Sequence, residues 1–138
     1  MNKNRYGRVI KVLGTVVDIR FEDNSLPELY NAIEIKLNKE TLVVEVAQHI
    51  GDDVVRCIAM GPTEGLVRGV EAYNTGDSIK VPVGEEILGR MFNVLGRPID
   101  EIDFDDRGVT KHPIHRNAPT YAEQNIEGAI LETGIKVI

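Results

Sequence analysis

The chain has 138 residues and a net charge of −6; 42% of its residues are hydrophobic, 28% are charged and 5% are aromatic. This composition predicts a soluble globular protein, and the acidic balance argues against nucleic acid as a partner, because phosphate neutralisation needs clustered Lys and Arg. Cys57 is the only cysteine, so no disulfide can form within the chain.

The first 83 residues alternate between short apolar runs and turn-forming residues. The runs are GRVIKV, TVVDIRF, NAIEIKL, LVVEVAQ, VVRCIAM, LVRGVEA and SIKVPV. Gly14 predicts a bulge or sharp bend, NKET predicts a turn, and GDD and YNTG are expected to break the chain between runs. Because the runs recur about every 8 to 12 residues, they predict an antiparallel barrel or sandwich. Closure removes exposed sheet edges, so we expect a mainly β fold built on an antiparallel barrel of about six strands.

Alternation within these runs assigns side chains to the two faces of each strand. Val17, Ile19 and Phe21 share one face of the second run, which is therefore expected to point into the core. Cys57 lies within VVRCIAM, where a buried small hydrophobic side chain is expected rather than a nucleophile. His49 is expected at the end of a strand.

The sequence changes character at Gly84. In GEEILGRMFNVLG the apolar residues recur at intervals typical of a helix, which predicts a short helix with Glu85 and Glu86 in its first turn. An acidic loop, DEIDFDD, and an irregular stretch, TKHPIHRNAPTY, follow, and then AIL and IKVI are strand-like. We therefore divide the chain into a barrel domain, residues 1–83, and a second part, residues 84–138, which we expect to be the incomplete start of an α/β domain.

No pattern in the sequence assembles a catalytic site. There is no G-x-G-x-x-G and no Gly-Lys pair, so the backbone cradle and the Lys that bind phosphates in a P-loop are missing. The only serines are Ser25 and Ser78, and Ser78 lacks the following Gly of a nucleophile elbow. We predict no catalytic residue and no cofactor-binding residue in this chain.

Two patterns resemble metal sites, and neither fits. When the acidic loop is aligned with an EF-hand from Asp103, Arg107 takes the fifth position and Ile114 the twelfth, where oxygen ligands are needed. His112 and His115 are three residues apart, but a proline between them makes a helical metal clamp unfavourable. We expect a solvated turn, surface loop histidines and no metal ligand.

The N-terminus, MNKNRYGRVI, has no long apolar stretch and so does not predict a signal peptide. No run approaches the roughly 18 apolar residues of a membrane-spanning helix. We therefore expect no direct membrane insertion, and any membrane association would come through partners.

Four separated segments carry a resemblance to a known family. VAQHIGDDVVRCIAM (46–60), EGLVRG (64–69), VPVGEEILGRMFNVLGRPID (81–100) and ETGIKVI (132–138) together resemble the N-terminal part of the beta subunit of F-type ATP synthases, from about Gly7 onward. The alpha subunit shares a similar VPVG…LGR pattern, whereas VAQHIGDD and GLVRG are more similar to the beta subunit.

The resemblance implies a six-stranded barrel that packs side by side with barrels of the neighbouring alpha and beta subunits of a hexamer. It implies a parent subunit that makes or hydrolyses ATP, coupled to proton transport, in a peripheral complex on the cytoplasmic face of an energy-coupling membrane. Residues after Gly84 would lead into the nucleotide-binding domain, with its phosphate-binding loop soon after ETGIKVI. Mg-ATP or Mg-ADP would then bind beyond Ile138, and this stretch alone is expected to assemble rather than catalyse.

Other interpretations stay open at this point. GEEILGR could be a nucleotide-proximal loop, although the missing phosphate-binding chemistry favours a connector that packs the barrel onto the central domain. A different class is an independent, OB-like barrel that binds a ligand or oligonucleotide with a basic groove and stacking aromatics. The charge is wrong for that function, and Tyr6, Phe21, Tyr30 and Tyr73 are few and scattered. No group of residues in the sequence supports a stand-alone enzyme.

Overall fold

Six short strands close into an antiparallel barrel in a computed structural model, which describes residues 5–22, 25–37, 40–124, 128 and 130. The strands are β1 (Tyr6–Leu13), β2 (Val16–Phe21), β3 (Asn31–Lys36), β4 (Thr41–Gly51), β5 (Val54–Ala59) and β6 (Glu71–Ser78). Their order around the barrel is β1-β2-β5-β4-β3-β6, and β6 pairs with β1 to close it. The predicted mainly β fold with a closed six-stranded barrel is confirmed.

The barrel interior is filled by the alternating apolar side chains of all six strands. Val17 and Ile19 are fully buried and Phe21 is 1% exposed, as the alternation in the second run predicts. The other core residues are Val9, Ile33, Ile35, Leu42, Val44, Val46, Val55, Cys57, Leu66 and Ala72. Because branched aliphatic side chains dominate, the barrel has a packed core rather than a channel.

Asp18 lies between these core residues in sequence and on the opposite face of β2. Arg56 of β5 is its register partner and donates two hydrogen bonds to its carboxylate, at 2.8 and 3.0 Å. The hydrogen bonds from Arg56 hold the pKa of the Asp18 carboxyl below its ordinary value. A nearly buried charge is therefore paired, as its desolvation requires.

Two tight hairpins follow their predicted turn residues. Gly14 and Thr15 connect β1 to β2, and Gly14 has a φ of 59°. Asp52 and Asp53 connect β4 to β5 with φ angles of 50° and 60°. A two-residue hairpin turn whose twist matches that of its strands needs both residues in this left-handed conformation. The sharp bend predicted at Gly14 and the break predicted at GDD are confirmed.

The predicted break at YNTG is wrong, because β6 runs through these residues. Polar side chains supply the hydrogen bonds of an irregular segment in the strand. Asn74 Oδ1 accepts a hydrogen bond from the Gly76 N–H at 2.9 Å, and Thr75 Oγ1 donates to the Ala32 carbonyl of β3 at 2.8 Å. Turn-forming residues here build a bulge against β3 instead of ending the strand.

The predicted strand at LVRGVEA begins only at Glu71. Residues 60–70 form the connection from β5 to β6, in which Leu66 is buried against the barrel core. Its last part follows β1: the Gly69 N–H donates to the Val9 carbonyl at 2.7 Å, and the Val9 N–H donates to the Val70 carbonyl at 2.9 Å. This connection thus covers the side of the barrel near Val9.

The chain after the barrel has little regular structure. β7 (Lys80–Pro82) and β8 (Lys111–Pro113) form a two-stranded antiparallel sheet, and single 3-10 turns occupy Glu85–Ile87 and Tyr121–Glu123. Among the described residues, no helix has the length and apolar character to cross a membrane. The strand-like segments at residues 129–131 and 135–138 lie outside the described residues, Ile130 excepted.

The helix predicted for GEEILGRMFNVLG is wrong, because only the 3-10 turn Glu85–Ile87 forms. Leu88 is extended and Gly89 has a φ of 72°, which ends the turn. Asn93 then starts a new turn, since its Oδ1 accepts hydrogen bonds from the backbone N–H groups of Leu95 and Arg97. Local turn chemistry overrides the helical spacing of the apolar residues.

A second apolar cluster lies on the outer surface of the barrel. Ala32 of β3 and Val43 of β4 pack there with Ile79, and Met60 and Leu95 complete the cluster. The two strands are therefore covered on both faces. β7 precedes the boundary predicted at residues 83–84 and β8 follows it, and that boundary remains a prediction.

We predict that Gly7→Ala destabilises the barrel. A Cβ atom at Gly7 would lie 2.7 Å from the Arg20 carbonyl oxygen and 2.9 Å from the Phe21 ring, so neighbouring strands would have to move apart. Overpacking of this kind lowers the free energy of unfolding by about 1–3 kcal/mol, measurable by urea denaturation. Gly61→Ala is the matched control, because its nearest neighbour, Leu42 Cδ1, would be 3.5 Å away. Equal stabilities of the two variants would contradict the prediction.

Candidate functional site

Cys57 lies inside the barrel with no exposed surface. Burial, with a smaller contribution from the charge of Asp18, raises the pKa of its thiol to about 12. A thiol that is both inaccessible and protonated is neither a nucleophile nor a metal ligand at neutral pH. The prediction of a buried small hydrophobic residue is confirmed.

The three histidines have three separate sets of partners. His49 lies within β4, and its Nε2 is 2.7 Å from the Pro27 carbonyl oxygen. Arg116 Nη1 is 2.7 Å from His112 Nδ1, and His112 belongs to β8 rather than to a loop. No group of three His, Cys, Asp or Glu side chains able to hold a metal occurs within the part of the chain that the structure describes.

The acidic loop uses its carboxylates in local ion pairs. Asp105 accepts two hydrogen bonds from the Arg107 guanidinium, at 2.8 and 2.7 Å, and Lys111 pairs with Asp106. The hydrogen bonds from Arg107 lower the pKa of the Asp105 carboxyl. The cations beside these carboxylates come from the protein itself, and the solvated turn expected here stays a prediction.

The serines and the two adjacent glutamates also have structural surroundings. Ser25 Oγ donates to the Glu22 carbonyl at 2.5 Å, which closes a local turn. Ser78 ends β6, and Glu85 and Glu86 lie in the 3-10 turn after β7. Among the described residues, none of the three histidines is hydrogen-bonded to either serine, as an activated serine would require.

A compact polar centre organises residues 88–104, and sequence reasoning did not identify it. Arg90 donates two hydrogen bonds to Asp100, at 2.6 and 3.1 Å, and a third to the Ile102 carbonyl at 2.7 Å. Its guanidinium lies 5.2 Å from the centroid of the Phe104 ring and 6.0 Å from that of Phe92. The sequence indicates this pair in LGR…PID, because a loop between the two segments can bring Arg90 back to Asp100.

The same centre explains the shape of the GEEILGR segment. The Arg90 and Asp100 side chains are 16% and 7% exposed, so the pair is largely shielded from water. The Phe92 and Phe104 rings meet edge to face, with centroids 5.1 Å apart. These contacts fold the connector on itself.

A second set of contacts joins the connector region to the barrel. The Tyr30 and His115 rings stack with centroids 4.1 Å apart, and His115 Nε2 lies 3.0 Å from Glu45 Oε2 of β4. Tyr30 has a φ of 68°, a strained conformation that its 2.8 Å hydrogen bond to the Val46 carbonyl helps to hold. Sequence reasoning placed His115 on the surface but did not connect it to Tyr30.

Barrel closure brings together two tyrosines that the sequence separates. Tyr6 of β1 and Tyr73 of β6 are register partners, and their ring centroids are 5.1 Å apart on the outer surface. The expectation that the aromatic residues are scattered is therefore wrong for this pair. Glu34 of β3 is the register partner of Tyr73 on its other side, so carboxylates border the rings.

Comparison with known families gives a match that covers the barrel strands. Residues 9–76 match the family model described as the ATP synthase alpha/beta family, beta-barrel domain. The match begins within β1 and ends within β6, so it covers the closed barrel and about half of the chain.

We predict that Arg90→Gln raises the pKa of the Asp100 carboxyl toward its ordinary value of 3.8, because the hydrogen bonds and charge of Arg90 hold it well below that value. The pair stabilises the folded segment above pH 3.8, and this contribution is lost as the pH falls below 3.8 toward the folded-state pKa. Carbon-13 NMR titration of the aspartate carboxyls measures the change. Arg107→Gln is the control: it should move Asp105 and leave Asp100 unchanged, and an unshifted Asp100 in Arg90→Gln would refute the assignment.

Proposed function

Because the chain belongs to the ATP synthase alpha/beta family through the β-barrel domain of residues 9–76, we propose that it is the N-terminal assembly portion of the beta subunit of an F-type ATP synthase. The family match to the closed barrel carries this proposal. The beta subunit is favoured over alpha by the segments VAQHIGDD and GLVRG, which are similar to beta.

In this proposal residues 1–83 form the assembly domain and residues 84–138 the connector and the start of the nucleotide-binding domain. The partners are the barrels of neighbouring alpha and beta subunits in a hexamer. The parent subunit makes or hydrolyses Mg-ATP, coupled to proton transport, in a peripheral complex on the cytoplasmic face of an energy-coupling membrane. The outer cluster at Ile79 and Leu95 supports the connector role, because it fixes the chain after the barrel against β3 and β4.

The alternative is an OB-like barrel that binds an oligonucleotide. The paired rings of Tyr6 and Tyr73 offer a stacking surface, but Glu34 and Glu71 line the same concavity. Carboxylates beside the rings repel a phosphate backbone, whereas single-strand binding surfaces are basic. This local charge favours the assembly proposal.

A competition experiment tests the assembly role. We expect the 138-residue chain to displace labelled full-length beta subunit from the isolated alpha subunit, as followed by size-exclusion chromatography and analytical ultracentrifugation. Gly7→Ala should compete less well, because its barrel is destabilised, and Gly61→Ala should compete like the natural chain. If the chain displaces labelled alpha from beta instead, it is an alpha-type barrel; if it displaces neither, the assembly proposal fails.

A binding measurement tests the non-catalytic role of this stretch. Isothermal titration of the chain with Mg-ATP should give no saturable heat, because the chain has no phosphate loop and its connector is folded around Arg90 and Asp100. Full-length beta subunit under the same conditions is the positive control. A saturable isotherm with micromolar affinity would contradict the proposal.

A further inference from the structure

The outer surface of the barrel has a concavity at the seam where the first and last strands meet. Its volume is about 340 Å3, and β1, β3 and β6 with the end of the preceding connection form its walls. The lining residues are Tyr6, Glu34, Lys36, Val70, Glu71 and Tyr73. Two phenol rings, two carboxylates and one ammonium group therefore share one depression of the surface.

Strand register fixes the two rings at this position. Tyr6 and Tyr73 lie directly opposite each other on β1 and β6, and their planes are tilted by 48°. The faces of tyrosine rings carry partial negative charge, so an open ring face attracts a cation placed above it. The exposed fraction of Tyr6, 42%, leaves its ring accessible to such a group.

The two carboxylates are available for a further partner. Among the described residues, neither Glu34 nor Glu71 takes part in an ion pair, and Lys36 is not within ion-pair distance of either. Arg8 is the register partner of Glu71, but its Nη1 donates to the Gly69 carbonyl at 3.4 Å instead. Within the part of the chain that the structure describes, the site thus combines negative ring faces with two carboxylates that form no ion pair.

We propose that this concavity binds an arginine side chain presented by a partner protein. The proposal rests on the assembly role above and names the chemistry of one contact in it. A planar guanidinium can stack on a tyrosine face while it donates paired hydrogen bonds to a carboxylate, which a compact ammonium group cannot do. An anionic or neutral group would gain neither contact.

The test uses the full 138-residue chain and two small probes. Nα-acetyl-arginine amide carries the guanidinium, and Nα-acetyl-citrulline amide is its neutral isostere. In a 15N-labelled sample, the arginine probe should give saturable shifts at the amides of Tyr6, Glu34, Glu71 and Tyr73, with a dissociation constant on the order of millimolar for so small a contact. The citrulline probe should give smaller shifts that do not saturate.

Charge-removing variants locate the site. Glu34→Gln with Glu71→Gln should weaken binding of the arginine probe by about threefold or more, as expected for exposed ion pairs. Glu85→Gln with Glu86→Gln removes the same two charges from the 3-10 turn after β7 and should bind like the natural chain. Spectral dispersion shows whether each variant is folded, and the comparison of the two probes on the natural chain does not depend on any variant.

Three results would overturn the proposal: no saturation with the arginine probe, equal binding of the citrulline probe, or unchanged binding in the double variant when it is folded. These outcomes are separate from the competition experiment with the alpha subunit. A chain that assembles but does not bind the probe would retain the proposed function and lose this site. A chain that binds the probe but does not assemble would lose the function and retain the site as a guanidinium pocket.

Discussion

The structure depends on the pairing of β1 with β6, which turns a curved sheet into a closed barrel. Three register pairs form this seam: Tyr6 with Tyr73, Gly7 with Ala72 and Arg8 with Glu71. On its other side β1 can approach β2 only because Gly7 has no side chain, since the Arg20 carbonyl and the Phe21 ring of β2 occupy the space beside it. The same three pairs align the tyrosine rings on the outside and bury Ala72 on the inside, so closure creates both the core and an outer surface.

The barrel has a second constraint on its outer side. β3 and β4 bury apolar residues on both faces, because Ala32 and Val43 pack with Ile79 and Leu95 outside the barrel wall. The stack of Tyr30 on His115 and the contact of His115 with Glu45 add a polar clamp to the same side. The connector is thereby held on one wall, while the tyrosine seam lies on the wall formed by β1, β6 and β3.

The sequence predicted the strands well where a run alternates and ends in strong turn residues. Alternating apolar residues such as Val17 and Ile19 are buried inside the barrel. The sequence Asp52-Asp53 favours a tight hairpin. The predictions failed where side chains take the place of backbone groups as hydrogen-bond partners. Asn74 and Thr75 keep β6 continuous through a turn-like stretch, and Asn93 breaks a helical pattern at Leu95 and Arg97.

Contacts between distant segments were also beyond the sequence. Nothing in composition or spacing shows that Tyr6 meets Tyr73, or that His115 meets Tyr30, because these contacts follow from strand order and not from local pattern. The Arg90–Asp100 pair is intermediate, since its partners are ten residues apart in one loop. An arginine in an otherwise apolar segment needs a carboxylate as a partner, and the pair could have been inferred from that need.

The position of β6 has a consequence for how the barrel folds during synthesis. β6 is the last of the six barrel strands to be made, and because it pairs with both β1 and β3 it joins the two ends of the sheet. The pairs β1–β2, β3–β4 and β4–β5 are local hairpins of small entropic cost, whereas the contact of Tyr6 with Tyr73 closes a loop of nearly the whole domain. A sheet of the first five strands, formed before Glu71–Ser78 leaves the ribosome, would have both edge strands unpaired, and unpaired edges favour aggregation.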